Sequence, residues 1–326
     1  MLQLRQIQRS RNHLAGRGRP VLSTAFLFPG QGSQAVGMGK YLAIGNRAAA
    51  EVFRLADEVL GMPLSTLCWE GPADELTRTS ITQPAIVTTS LACAAALQAA
   101  GIEPDLVAGH SVGEYAALAV VGVLTTADAI RLSRQRGQLM EKTTAGTMAA
   151  ILNLDHATLE AVCAEVDGTV VVANFNTADQ IVISGEVEAV AKACELAKAR
   201  GARKVIPLTV GGAFHSPLMA DAVPELARAL DAVTFHDPKA RYLSSTTVAE
   251  VKSGSQLRGI MKRQMTSQVR WEPTMRLLLS SCPSRVFEVG HGATLGGMLK
   301  KIDRTVEALK CADPFALEKC LATVAG

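Results

Sequence analysis

A serine flanked by two glycines is the residue of this sequence best suited to nucleophilic chemistry. Residues 109–113 read Gly-His-Ser-Val-Gly, which fits the G-x-S-x-G pattern of a nucleophile elbow around Ser111. The apolar residues 106–108 resemble the end of a buried strand, and 114–121 have the composition of a helix. Such a turn exposes the hydroxyl at a helix N-terminus, where free N–H groups favour negative charge. The pattern predicts a catalytic serine; a plain strand–helix turn is the alternative.

A serine nucleophile needs a base, and His215 is the first candidate. It lies in the glycine-rich loop 211–217, at the point where the chain returns from a segment that reads as an inserted domain. A cleft is expected there, although a loop histidine satisfied by the backbone would give the same pattern. His291, between two glycines, is the second candidate. The elbow should turn the ring of His110 away from Ser111.

The oxyanion formed during acyl chemistry needs two N–H donors near the serine. The backbone of Val112, the residue after the nucleophile, would supply one of them. The loop Gly30-Gln31-Gly32, at the end of the first predicted strand, could supply the other. A phosphate cradle is the alternative for this loop, but the lysine and hydroxyl spacing of a phosphate-binding loop is absent from the sequence there.

Arg136 lies on the apolar stripe of a predicted helix. It follows Leu132 by four residues and precedes Met140 by four, so all three share one face of helix 126–142. A guanidinium on a buried face needs an anion. The sequence leaves open whether that anion is a protein carboxylate or the carboxylate of a substrate, which its planar fork would bind bidentately.

Composition limits the class of protein. With 326 residues, 48% apolar and 19% charged, the chain can bury a large core. No apolar run approaches the length that spans a bilayer, which predicts a soluble protein without a membrane partner. The seven cysteines are scattered without a C-x-x-C pair, which indicates a reducing intracellular compartment and argues against a metal site.

The basic charge is concentrated at the N-terminus. The net charge is +3, but five arginines and no acid lie in the first 20 residues, so the remainder has 28 basic and 30 acidic residues. The near-neutral body argues against a nucleic-acid partner. Residues 1–23 are typical of a targeting segment for a plastid or mitochondrion. A disordered extension of a cytoplasmic protein is the alternative.

The elements that would position these residues alternate as in an α/β protein. The predicted elements of the larger part are strand 25–28, helices 47–60 and 84–100, strand 106–108, and helices 114–121 and 126–142. This order predicts a parallel sheet covered on both faces. We expect a large α/β-hydrolase-like domain formed by residues 24–146 and 211–326.

A second pattern interrupts the first. It comprises predicted strands 148–152, 170–174, 180–184 and 204–210 with helices 157–166 and 187–200. The order βαββαβ is the ferredoxin-like arrangement. We therefore expect a small inserted subdomain over residues 147–210.

Taken together, the motifs resemble those of the malonyl-CoA:acyl-carrier-protein transacylases, the acyltransferases of fatty-acid and polyketide synthesis. The resemblance extends from Phe26 to about Ile302. It rests on six motifs in the family's order: Phe28-Pro29-Gly30-Gln31-Gly32-Ser33-Gln34, Thr82-Gln83-Pro84-Ala85, Gly109-His110-Ser111-Val112-Gly113-Glu114-Tyr115, Arg136-Gly137, Gly212-Ala213-Phe214-His215-Ser216 and Glu288-Val289-Gly290.

The resemblance implies a role for each matching residue. Ser111 would carry the acyl group, His215 would be its base, and the backbones of Gln31 and Val112 would donate to the oxyanion. A main-chain carbonyl orients the family's histidine, and the matching residue is Gln264. For the substrate, the resemblance implies that Arg136 binds the malonyl carboxylate, with Gln83 and Phe214 beside it in the site.

The implied reaction is a ping-pong malonyl transfer from malonyl-CoA to the phosphopantetheine thiol of acyl carrier protein, without a cofactor. The expected partners are that carrier protein and the coenzyme A thioester, and the expected state is a monomer. The same residues would serve a malonyl loader for polyketide synthesis or malonate decarboxylation. The sequence also leaves open a serine thioester hydrolase and a non-catalytic carrier-protein docking module.

The sequence departs from the family pattern at two positions. His291 stands in Gly-His-Gly where Gly-Pro-Gly is common, and Gln268 stands where a proline is common before Val-Arg-Trp. Both loops lie near the active site in the family. We therefore expect His291 to affect the pocket or the base.

Overall fold

The structure is a computed structural model that describes residues 23–143 and 146–325. The predicted targeting or disordered segment, residues 1–23, lies outside the described residues except for Ser23. The strands are β1 Thr24–Phe28, β2 Leu106–Gly109, β3 Thr147–Leu152, β4 Val170–Thr177, β5 Gln180–Gly185, β6 Lys204–Pro207, β7 Arg241–Ser244, β8 Ala249–Glu250, β9 Arg285–Glu288 and β10 Ala308–Lys310.

Helices connect and cover these strands. They are α1 Lys40–Gly45, α2 Arg47–Leu60, α3 Leu64–Glu70, α4 Ala73–Thr77, α5 Thr79–Ala99, α6 Gly113–Val120, α7 Thr126–Lys142, α8 His156–Glu165, α9 Val187–Ala199, α10 Val223–Asp231, α11 Gly254–Arg263, α12 Trp271–Ser280, α13 Thr294–Ile302 and α14 Pro314–Ala325, with 3₁₀ turns at Pro217–Ala222 and Gln264–Thr266.

The larger sheet has six strands in the order β10-β9-β1-β2-β7-β8. The first five pair in parallel, and the short β8 is antiparallel to β7. Strand β1 shows why such a sheet needs helices on both faces, because Phe26 and Phe28 pack into one core cluster and Ala25 and Leu27 into another. The predicted parallel α/β core is confirmed.

The smaller sheet has the order β4-β5-β3-β6, and every neighbouring pair is antiparallel. Its own core includes Ile151, Ile181 and Leu159 and is separate from the two clusters of the larger sheet. The βαββαβ order with this strand sequence confirms the ferredoxin-like prediction. The predicted last strand was too long, because it ends at Pro207 and residues 208–210 line the cleft described below. The domain boundaries given above stay a prediction, as does the hydrolase-like character of the larger sheet.

The core helix α5 corrects two predictions. It begins at Thr79, five residues before the predicted start, and keeps Pro84 inside it. The Ser80 carbonyl, which an N–H at position 84 would reach, accepts a hydrogen bond from the Arg134 guanidinium instead. At 21 residues with a mean hydropathy of 1.3, α5 is also long and apolar enough to span a bilayer. The prediction that no apolar run approaches this length was therefore wrong for α5. Because 94% of its apolar 18-residue stretch is buried inside the protein, α5 is a core helix.

Candidate active site

Ser111 stands on a turn that only glycines can flank. Its φ is 52°, in the left-handed region that side chains rarely adopt. A Cβ at Gly109 would lie 2.3 Å from the Glu114 nitrogen, and one at Gly113 would lie 2.2 Å from the Phe28 oxygen. The strand β2, the turn and helix α6 therefore pack too closely for any other residue, and this packing fixes the direction of the Ser111 hydroxyl.

His215 meets Ser111 from the other side of the turn. Its Nε2 lies 2.7 Å from Ser111 Oγ. Its Nδ1 lies 2.9 Å from the Ser267 carbonyl oxygen and 3.1 Å from that of Gln264. Carbonyl oxygens only accept, so Nδ1 carries the proton and the Nε2 lone pair faces the serine hydroxyl. This is the tautomer that a general base requires.

The electrostatic environment keeps His215 neutral. Burial, and next the Arg136 cation, lower the pKa of His215 to about 3, against the opposing effect of the two carbonyl contacts. A neutral imidazole is therefore the form present at physiological pH. A bound carboxylate that offset the charge of Arg136 would raise this pKa and make proton abstraction more favourable.

Arg136 is fully buried on helix α7. Its NH2 donates to Ser111 Oγ at 3.1 Å, its NH1 to Gln83 Oε1 at 2.8 Å, and its Nε to Gln264 Oε1 at 3.2 Å. These acceptors are a hydroxyl and two amides, so no carboxylate among the described residues pairs with it directly. Two of its five N–H groups stay available, the number that a bidentate carboxylate uses.

A cavity of about 330 Å³ opens in front of Ser111 and His215. Gln31, in the loop after β1, and Phe214, in the loop before the turn Pro217–Ala222, line one part of its wall, and strands β3, β4 and β5 of the smaller sheet line another. Arg136, Gln83 and Gln264 lie behind this wall, and Arg136 approaches the cavity through its contact with Ser111. Of the candidate substrate residues, Phe214 therefore lines the cavity, whereas Arg136 and Gln83 form a layer beneath its wall together with Gln264.

The two candidate oxyanion donors, the backbone amides of Val112 and Gln31, lie in different segments near Ser111. Val112 is the residue after Ser111 and begins the turn into α6, and Gln31 lies in the loop after β1 that lines the cavity. Neither amide donates a hydrogen bond to another residue of the described ranges. Both are therefore available to a ligand, as oxyanion donors must be.

Residues 25–314 match the acyl transferase domain family. The chain is 40% identical over 306 residues to the malonyl CoA-acyl carrier protein transacylase of Bacillus subtilis strain 168, covering 92% of this chain and 96% of that protein. The chain belongs to the malonyl CoA-acyl carrier protein transacylases. This confirms the resemblance drawn from the motifs.

Solved structures of this family superpose closely on the chain. The malonyl CoA-acyl carrier protein transacylase of Coxiella burnetii has a TM-score of 0.90 at 34% identity, covering 93% of this chain and 98% of that one. A malonyl-transacylase in complex with its type II PKS acyl-carrier protein has a TM-score of 0.89 at 36% identity, covering 92% and 99%.

The two departures from the transacylase pattern lie outside the reacting groups. His291 is half-buried and is not part of the cavity wall, so the structure gives it no contact with Ser111 or His215. The amide of Gln268 lies 3.3 Å from the Val172 carbonyl oxygen, to which it donates, and 3.4 Å from His156 Nε2. It therefore joins the loop behind His215 to the smaller sheet.

The sequence reasoning missed three residues that the structure places at this site. The Ser267 carbonyl lies closer to His215 than the predicted Gln264 carbonyl, and no sequence signal marks it because every residue has a carbonyl. Asn176 Oδ1 lies 2.9 Å from His110 Nε2, across the cleft. Glu114 is buried beneath the site, and an acid in the otherwise apolar helix α6 was the signal that could have found it.

Proposed function

We propose that this protein transfers a malonyl group from malonyl-CoA to the phosphopantetheine thiol of acyl carrier protein through a malonyl-serine intermediate. One observation carries the proposal. The same hydroxyl, Ser111 Oγ, lies 2.7 Å from the base His215 and 3.1 Å from the buried cation Arg136. A nucleophile beside an unpaired guanidinium suits an acyl group that ends in a carboxylate.

In the first half-reaction His215 Nε2 takes the proton of Ser111 as Oγ attacks the thioester carbonyl carbon. The new C–O bond forms, and the carbonyl oxygen becomes an oxyanion that accepts hydrogen bonds from the backbone N–H groups of Gln31 and Val112. The intermediate then collapses, the C–S bond breaks, and His215 returns the proton to the coenzyme A sulfur. The Ser267 and Gln264 carbonyls stabilise the imidazolium that exists in between.

The second half-reaction runs the same steps in reverse. His215 takes the proton of the carrier's phosphopantetheine thiol, and the sulfur attacks the malonyl-serine ester. A C–S bond forms, the C–O bond to Ser111 breaks, and the serine oxygen regains the proton. The apolar side chains of Met148, Ala150 and Val182 in the cavity wall limit the water that could compete with the thiol.

We assign Arg136 to the malonyl carboxylate, with Gln83 and Phe214 beside it. An acyl group without a carboxylate would leave the buried guanidinium without an anion, and rejection of such groups by an unpaired polar site is strong. No cofactor is proposed, because Ser111, His215 and the two amides supply nucleophile, base and oxyanion donors.

The pathway is proposed to be fatty-acid synthesis, in a soluble, monomeric enzyme of an intracellular compartment. The likeness to a malonyl-transacylase in complex with a type II PKS acyl-carrier protein favours a second candidate, a loader for polyketide synthesis. The two candidates share every residue named here and differ in the carrier protein. Transfer rates to carrier proteins of both types would separate them.

Intact-protein mass spectrometry after brief incubation with malonyl-CoA tests the proposal. We expect a malonyl adduct on the wild type that is lost in Ser111→Ala and that clears when phosphopantetheinylated carrier protein is added. An adduct that clears as fast in buffer alone would indicate the thioester hydrolase instead. No adduct from malonyl-CoA or acetyl-CoA would contradict the proposal and favour the docking module.

A further inference from the structure

The buried cation Arg136 is linked to a buried carboxyl group through one amide. Glu114, on helix α6, is fully buried beneath the site. The amide group of Gln264 lies between the two, because its Nε2 donates to Glu114 Oε2 and its Oε1 accepts from Arg136 Nε at 3.2 Å. The two charges are therefore connected through one side chain.

The orientation of the Gln264 amide is fixed by its neighbours. Its Nε2 faces two groups that accept, the Glu114 carboxylate and the Ser111 carbonyl oxygen at 2.8 Å. Rotating the amide by half a turn would place an oxygen against both acceptors and N–H groups against the guanidinium. Only the observed orientation satisfies every contact, so Oε1 must face Arg136.

Glu114 is held in place by donors on its other oxygen. Its Oε1 accepts the Ser245 backbone N–H at 2.9 Å and the Ser245 hydroxyl at 3.1 Å. Burial raises the pKa of Glu114, and the hydrogen bonds from Gln264 and Ser245 oppose that rise. The carboxylate thus has a donor on each oxygen, an arrangement that favours its ionised form.

We infer that Glu114 and the side chain of Gln264 are positioning residues that fix the Arg136 guanidinium for recognition of the substrate carboxylate. Neither touches the reacting atoms through its side chain in the proposed reaction. Glu114 orients Gln264, Gln264 orients the Nε side of Arg136, and the remaining N–H groups are thereby turned to the acyl group. This inference rests on the proposed function and adds residues that determine its specificity.

The inference makes a prediction that a purely structural role does not. Loss of the Glu114 carboxylate should lower kcat/KM for malonyl-CoA and leave that for acetyl-CoA unchanged, because only the malonyl group has a carboxylate for Arg136 to bind. A general loss of packing would slow both acyl groups alike. The effect should also disappear where Arg136 itself is absent, since nothing is then left to orient.

The test compares kcat/KM for malonyl-CoA and acetyl-CoA in the wild type, Glu114→Gln and Gln264→Met, each with and without Arg136→Ala. We expect Glu114→Gln to lower the malonyl-to-acetyl ratio about 10-fold, mainly through KM for malonyl-CoA, and to change it by less than about 2-fold in the Arg136→Ala background. Glu103→Gln is the matched control, because Glu103 accepts a hydrogen bond from Gln98 at 2.7 Å on the surface.

Two results would overturn the inference. One is an unchanged malonyl-to-acetyl ratio, whether or not both acyl groups react more slowly, and the other is a loss in this ratio that multiplies with that of Arg136→Ala. If Glu114→Gln does not fold, as judged by thermal unfolding, Gln264→Met carries the same expected change in the malonyl-to-acetyl ratio. Its rates with both acyl groups should also fall together, because the lost amide donates to the Ser111 carbonyl oxygen. The wild type separates this inference from the proposed function. A wild type without a malonyl adduct on Ser111 refutes both, whereas an adduct with an unchanged ratio refutes the positioning role alone.

Discussion

The two sides of the cleft differ in the kind of side chain they present. The side built on the larger sheet holds the proposed nucleophile Ser111, the proposed base His215 and the buried cation Arg136. The side built on the smaller sheet presents Met148 and Val182, together with neutral amides from β4 and β5. Every group that can take up or lose charge in the proposed reaction therefore lies on one side.

The difference follows from how firmly each side is held. Ser111 and His215 both have positive φ angles, 52° and 57°, and each is fixed by tightly packed glycines or by hydrogen bonds. The smaller sheet has a core of its own on one face, and residues of its other face, such as Ala173 and Val182, belong to the core of the larger sheet. The Val269 amide donates to the Ala173 carbonyl oxygen, and that of Phe175 to the Val269 carbonyl oxygen, both at 2.8 Å. The proposed chemistry is thus located on residues with positive φ, and the other side forms the wall of the cavity.

Removing the nucleophile should have the largest effect. Ser111→Ala leaves His215 and Arg136 in place but no oxygen to acylate, so we expect transfer to fall on the order of 10⁴-fold or more and the malonyl adduct to be lost. Mass spectrometry and a carrier-protein transfer assay measure this. Ser255→Ala, at an exposed serine, is the control. An adduct that persists in Ser111→Ala would place the acyl group on another residue.

Removing the buried cation Arg136 should have the second-largest effect. Arg136→Ala should lower kcat/KM for malonyl-CoA on the order of 10³-fold and leave acetyl-CoA much less affected, because only malonyl loses a charged partner. Arg136→Lys keeps the charge without the planar fork, so its kcat/KM for malonyl-CoA should lie between those of the wild type and of Arg136→Ala. Equal losses for both thioesters would show that Arg136 supports the fold of this side without selecting the substrate.

The pH dependence of kcat/KM should reflect the effect of Arg136 on the pKa of His215. Because burial and Arg136 lower the pKa of His215 to about 3, the neutral base is present above that value. We expect kcat/KM for acetyl-CoA to stay flat between roughly pH 5 and pH 8. Arg136→Ala removes a cation, so the pKa rises and the acid limb moves to higher pH. A wild-type limb near the ordinary histidine pKa of about 6.5 would contradict the buried, neutral base.

A smaller effect is expected where the two sides touch. Asn176→Ala removes the partner of the His110 ring, 2.9 Å away, and should lower the free energy of unfolding by about 1–3 kcal/mol. We also expect the malonyl-serine adduct to hydrolyse a few-fold faster as the wall loosens. Urea unfolding and adduct lifetimes measure the two effects, with Gln180→Ala in the same wall as control. An unchanged lifetime would mean that this contact does not exclude water.

The smallest effect is expected at the loop that departs from the family. His291→Pro restores the common Gly-Pro-Gly, yet His291 lies outside the cavity wall. We expect kcat/KM for malonyl-CoA to change by less than about 3-fold and the stability to change by about 0.5 kcal/mol. Steady-state kinetics and thermal unfolding check this. A change of 10-fold or more would show that the loop reaches the site, as its departure from the family pattern suggested.

The fold was largely predictable because its elements carry local patterns. The predicted helices 47–60 and 126–142 match the observed bounds of α2 and α7. The start of α5 was missed because Pro84 reads as a helix start, and the Arg134 contact that satisfies Ser80 is distant in the sequence. The end of β6 was missed because Leu208 and Val210 alternate with Thr209 as in a strand, whereas in the structure these three residues line the cleft.

The amino-acid sequence alone was sufficient to define the elbow, since Gly-His-Ser-Val-Gly between a strand and a helix leaves only one way to turn. It was also sufficient to define the family, through motifs spread over most of the chain. The folded chain was needed to show which histidine meets Ser111, 104 residues away along the chain, and which groups accept the hydrogen bonds of Arg136. Turns depend on neighbouring residues, whereas the partners of a buried charge come from segments that meet only when the chain has folded.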